Sequence, residues 1–81
     1  MKVHGVILRN ESDSKDSIWI FKELKNAIRW QRYLQRKLQS EHLDTELRSF
    51  VMDPVSVFDD DQDEFNRKME KLEGQLGGNS P

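Results

Sequence analysis

Residues 22–39 read KELKNAIRWQRYLQRKLQ. The stretch holds neither Gly nor Pro, is rich in good helix formers and is the longest such run in the chain, so it predicts a helix over residues 22–39. At about 100° per residue, Leu24, Ala27, Ile28, Gln31, Leu34 and Leu38 gather on one side, with Trp30 at its edge. The opposite side collects Lys22, Lys25, Arg29, Arg32 and Arg36, with Tyr33 beside them. One helix thus offers an apolar stripe to a core and a basic stripe to water, and the rest of the chain has to supply what the apolar stripe covers.

On the N-terminal side, residues 1–9, MKVHGVILR, alternate Val3, Gly5 and Ile7 against His4, Val6 and Leu8, the period of a strand. Residues 10–16, NESDSKD, predict a polar loop, and residues 17–21, SIWIF, a second strand in which Ile18 and Ile20 oppose Trp19 and Phe21. Together they predict an antiparallel hairpin.

On the C-terminal side, residues 40–45 predict a turn, and residues 46–52, ELRSFVM, a third strand with Leu47 and Val51 opposing Phe50 and Met52. Pro54 interrupts it, since proline lacks the N–H that a ladder needs. Residues 55–58 then either resume an edge strand or pack as an extended segment. Residues 59–64, DDDQDE, open a second helix, with Asp60 or Asp61 as its cap and acidic side chains complementing its dipole. Phe65, Met69, Leu72 and Leu76 form its narrow apolar stripe. The prediction is one α+β domain over residues 1–76: a hairpin, a long helix and a third strand in a mostly antiparallel sheet, with a C-terminal amphipathic helix. Residues 77–81 are expected to be a disordered tail.

Apolar and charged residues each make up 35% of the 81 residues, so the core has to be thin, one sheet layer against one helix. Such a helix covers one sheet face. The second stripe can therefore cover the other face, where Trp19, Phe21, Phe50 and Met52 are candidates for burial, pair with its copy in a homodimer, or enter a groove on a partner. With no cysteine, neither disulfides nor thiolate metal sites reinforce the fold. No apolar run approaches the roughly 20 residues of a membrane span, and the first residues lack a signal-peptide pattern. A soluble cytoplasmic protein is expected, which makes the sequon at Asn10, Glu11 and Ser12 accidental.

The net charge of −2 hides a segregation: residues 1–21 balance, residues 22–39 carry six basic side chains against one acidic, and residues 40–81 carry four against eleven. The two charged parts can satisfy each other internally or face charged partners.

Phe21 and Ala27 stand six apart, at the end of the second strand and early in the helix. With the order strand, acidic loop, strand, helix, strand, this resembles a group of small phage and prophage proteins with a ββαβ core. In those proteins an inward Ala follows the Phe at that spacing, and Ala27 would let the helix sit close to the sheet. Lys22 departs from the Ser or Thr that caps the helix in that group. The resemblance spans residues 1–58 and implies a small accessory protein that binds a host macromolecule, with no shared reaction.

Catalysis has little to draw on. His4 and His42 are the only histidines, and a chain of this size has little room for a pocket. No catalytic residue, cofactor or metal is assigned. Asp59, Asp61, Asp63 and Glu70 follow calcium-loop spacing, but Glu64 stands where the turn needs Gly and Asn66 where an apolar residue belongs. An acidic helix cap accounts for them.

The basic stripe is the first functional candidate. Lys25, Arg29, Arg32 and Arg36 suit an acidic protein surface; with Tyr33 stacking on a base they also suit nucleic acid. The acidic chain argues against the second use. Asp59, Asp60, Asp61, Asp63 and Glu64 form the second candidate, able to imitate DNA phosphates in the groove of a DNA-binding protein. The sequence is therefore read as a non-catalytic, phage-type interaction protein that binds a host protein and modulates it, by inhibition as the expected form. The alternatives are nucleic-acid binding through the helix and DNA mimicry through residues 59–64.

Overall fold

A computed structural model describes residues 1–10, 14–39 and 43–77, with side chains as far as residue 75. The chain runs β1 (Lys2–Asn10), β2 (Lys15–Phe21), α1 (Leu24–Leu38), β3 (Leu43–Val51) and α2 (Gln62–Gly77). The sheet has the order β2-β1-β3 with both pairings antiparallel, the expected α+β architecture. Residues 11 and 12 of the sequon, the turn residues 40–42 with His42, the side chain of Leu76 and residues 78–81 of the expected tail lie outside the described residues; Gly77, expected to open that tail, ends α2 instead.

The hairpin strands reach further into the polar stretch than side-chain chemistry suggests. Asn10 pairs with Lys15 and Arg9 with Asp16, so residues 10, 15 and 16 are strand rather than loop. Ser14 closes the turn with φ 57°, and its N–H donates to the Asn10 carbonyl at 3.0 Å. β3 likewise begins at Leu43, three residues before the expected start, because Leu43, Asp44 and Thr45 find register opposite Asn10, Arg9 and Leu8. A ladder recruits polar residues whenever its neighbour is already extended.

Directly opposed residues share a face, which assigns the two sides of the sheet. Val6 stands beside Trp19 and Leu47, and His4 beside Phe21 and Ser49; this side faces the helices. Gly5, Ile7, Ile18, Ile20, Glu46, Arg48 and Phe50 share the other side. Phe50 lies across Gly5, its ring 3.1 Å from where a Cβ would stand, so the missing side chain makes room for the ring.

Trp19 and Phe21 therefore face the helix layer, not the side of Phe50 and Met52 that the sequence reading grouped them with. Nor does α2 cover that second side. It packs beside α1 in the same layer, where Phe65 and Met69 join Val6, Phe21, Ala27, Trp30, Tyr33 and Leu34 in one core. Several aromatic edges meet faces, Phe21 with Phe58 and Phe65 at 5.4 and 5.9 Å and Trp19 with Trp30 at 5.5 Å, while Trp30 lies tilted against Tyr33 and Phe58.

α2 also rotates the burial of α1 away from the expected stripe. Asn26, Ala27, Trp30, Tyr33 and Leu34 are buried, Ile28 is half-buried, and Leu24 is 44% exposed. A helix wedged between a sheet and a second helix buries two flanks, and the centre of its buried arc lies between them.

Candidate interaction site

α1 begins at Leu24 with no acidic residue in its first turn and no side-chain cap of its own at Glu23. The missing anion comes from the far end of the chain. Residues 52–58 cross beneath the start of β1, where the Met52 N–H meets the Met1 carbonyl, and reach β2, where the Phe58 N–H meets the Ile20 carbonyl. That crossing delivers Asp59, 3% exposed, to the head of α1. Its carboxylate accepts the Lys22 N–H at 2.7 Å, the Glu23 N–H at 3.0 Å and the Asn26 amide at 2.8 Å. It thus replaces the cap that Lys22 cannot provide and places negative charge at the positive end of the helix dipole.

From Asp59 a polar ladder runs between the helices. The Asn26 and Gln62 amides exchange hydrogen bonds, Gln62 donates to Asn66, and Arg29 donates to Asn66. Arg29 then closes on Glu73 with two bonds, at 2.7 and 3.1 Å. That pair lowers the Glu73 pKa, chiefly through the hydrogen bond from Arg29 and against partial burial, and raises that of Arg29. Asp61 caps α2, accepting the Asp63 and Glu64 N–H groups at 3.0 and 3.2 Å.

The two sequence-predicted patches are therefore partly consumed by the fold. In the basic set, Arg29 is clamped to α2, and Tyr33 is 5% exposed in the core with Lys37 above its ring at 5.7 Å. Tyr33 cannot stack on a base from there. Lys25, Arg32 and Arg36 remain exposed around an open groove of about 740 Å³, into which half-buried Ile28 also faces. In the acidic set, Asp59 and Asp61 are caps, leaving Asp60, Asp63 and Glu64 exposed. The four calcium-spaced carboxylates do not converge, and among the described residues no three of His, Cys, Asp and Glu gather as a metal site requires.

His4, 8% exposed, has Nδ1 2.7 Å from the Ser49 hydroxyl. No acidic residue pairs with its other nitrogen among the described residues, so the contact joins β1 to β3 without the third member a hydrolytic triad needs.

Sequence reasoning missed the ladder because each of its residues reads as solvent-facing on its own helix. One signal was available: Asn26 and Arg29 fall on one side of α1, and Gln62, Asn66 and Glu73 on one side of α2.

Comparison with family models, with curated proteins and with solved structures returns no match for this chain. No helix among the described residues is long and apolar enough to cross a membrane.

Proposed function

We propose that the protein is a non-catalytic binding module that modulates a partner protein by receiving an acidic surface on the outer face of α1. One observation carries this reading: with Arg29 tied to Glu73, Lys25, Arg32 and Arg36 still present their charge around an open groove beside Ile28. Lys25 and Arg32 have no ion-pair partner among the described residues, and Arg36 acts on Glu73 only at a distance. These cations span about 16 Å of helix, a length suited to two or three carboxylates on a partner's helix or strand. Duplex nucleic acid fits less well, because Asp60, Asp63 and Glu64 at the start of the adjacent helix repel phosphates and the whole chain is acidic. The resemblance carried by Phe21 and Ala27 makes a host protein in the cytoplasm the proposed partner and inhibition the proposed form of modulation.

The test is capture from bacterial lysate on the immobilised protein, beside a gel shift with duplex DNA at low salt. An acidic protein held by the wild type, lost with Arg32→Glu plus Arg36→Glu and kept with Asp63→Asn plus Glu64→Gln, is the expected result. Capture indifferent to the arginine reversal sinks the proposal. Loss confined to the acidic pair would instead favour DNA mimicry, and a salt-sensitive DNA shift would favour nucleic-acid binding.

A further inference from the structure

The two edges of the sheet are finished differently. On β2, the crossing segment lies alongside, and the Phe58 N–H bonds to the Ile20 carbonyl. β3 pairs with β1 along its whole nine-residue length, and among the described residues nothing pairs with its outer side. Long free edges invite pairing, and proteins usually blunt them with proline, lysine or a bulge. Residues 43–51, LDTELRSFV, contain no proline and their register with β1 is unbroken; their charges, Asp44, Glu46 and Arg48, are of both signs, so they bar some pairings and suit others.

The order of side chains on this edge is self-complementary about Leu47. If a second copy lies antiparallel with Leu47 opposite Leu47, Glu46 stands opposite Arg48 twice over, Thr45 opposite Ser49, and Leu43 opposite Val51. The pairs also respect the two faces. Glu46 and Arg48 lie on the side away from the helices, whereas Thr45, Leu47 and Ser49 lie on the helix side. Val51, 78% exposed at the end of the strand, gains an apolar neighbour in Leu43. Only Asp44 opposite Phe50 lacks a complement, and Asp44 already stands beside Arg9 across β1.

The charges also discriminate between neighbouring registers. A slip of two residues in one direction sets Arg48 against Arg48 with no compensating pair, and like charges directly opposed destabilise a pair. In the other direction Glu46 meets Glu46 while Asp44 meets Arg48 twice, but Leu47 then stands opposite Thr45 and Leu43 opposite Ser49, so the apolar matches about Leu47 are lost. In the single chain Glu46 is paired with both Arg9 and Arg48, so Arg48, 61% exposed, can turn outward to a second carboxylate while Arg9 keeps Glu46 satisfied.

We infer that the β3 edge is a self-association surface whose occupant is a second copy of this chain, paired antiparallel about Leu47. The product is an isologous dimer with a continuous six-stranded sheet, both helix layers on one side and both Phe50 faces on the other. This surface does not involve Lys25, Arg32 or Arg36, so its test stands apart from that of partner binding.

Sedimentation equilibrium over a range of protein concentrations reads it directly. The wild type is expected to reach twice the mass of one chain. Glu46→Arg alone and Arg48→Glu alone each turn two attractive pairs into two repulsive ones and should weaken association about tenfold or more. Mixing the two single variants restores both pairs between unlike chains, so a one-to-one heterodimer should form. The double variant carrying both changes should self-associate like the wild type, which separates a lost interface from a damaged fold, and circular dichroism on each protein checks the fold itself. A wild type that stays monomeric to several hundred micromolar overturns the inference. So does a dimer that neither single change weakens, or single variants that weaken it without recovery on mixing.

Discussion

The seam between α1 and α2 and the outer edge of β3 use the same kinds of side chain to opposite ends. At the seam, Asp59, Asn26, Gln62, Asn66, Arg29 and Glu73 find one another across two helices far apart in sequence. At the edge, Thr45 accepts from Gln35, Ser49 meets His4, and Glu46 is held by Arg9 and Arg48, all within the chain; what has no neighbour among the described residues is the outer main chain of β3. Polar side chains at the seam join two elements, whereas at the edge they are satisfied locally and leave an unpaired backbone between them. In isolation the two conditions look alike.

The comparison breaks most visibly by removing what clamps the seam. Phe65, 2% exposed, should cost about 3–5 kcal/mol on truncation to Ala, read as a loss of stability in urea. Half-buried Phe50 on the open sheet face should cost less than half of that. Equal losses would mean that the open face is covered after all.

Next in size comes the cap. Asp59→Ala removes one carboxylate from three donors and should cost about 2–4 kcal/mol. Its exposed neighbour in Asp60→Ala should cost less than about 0.5 kcal/mol. If the two behave alike in thermal melts, the acidic run is a solvated segment and not the anchor of α1.

A smaller effect depends on pH. The Glu73 pKa is lowered in the folded protein, so its contribution is complete above the unfolded-chain value near 4.5 and disappears as pH falls through the folded value. The pair is about one-third exposed, and solvent screening limits it to about 0.5–1 kcal/mol. Wild type should therefore exceed Glu73→Gln by that amount at pH 7, and the difference should shrink towards zero in strong acid. A constant difference between pH 7 and pH 2 would exclude ionisation as its source.

The smallest change sharpens the other region. Gly5→Ala obliges the Phe50 ring to move by a few tenths of an ångström, and stability should change by less than about 1 kcal/mol in either direction. A larger loss would show that Phe50 is locked in place.

The alternations in β1, β2 and β3 and the gap-free helical run made the architecture legible, because strand and helix periods are local properties. The rotation of α1 was not legible. Tyr33 and Asn26 are buried beside a helix that begins 29 and 36 residues later in the chain, and periodicity carries no knowledge of a second flank. Lys22 signalled a missing cap, and residues 59–64 held the group that supplies it, but a bond over 37 residues has no local signature. The basic face was readable as a set. Which of its members remain available was not, since Arg29 and Arg32 differ only in what lies opposite them.

The separation between Lys22 and Asp59 also sets an order in time. A ribosome adding about 5–20 residues per second delivers Asp59 roughly 2–7 seconds after Lys22. During that interval the hairpin and the body of α1 can emerge while Phe21 and Trp30 still await Phe58, Phe65 and Met69. The nascent chain thus carries an uncovered aromatic cluster until its last third has been made, which gives a chaperone both a target and a deadline.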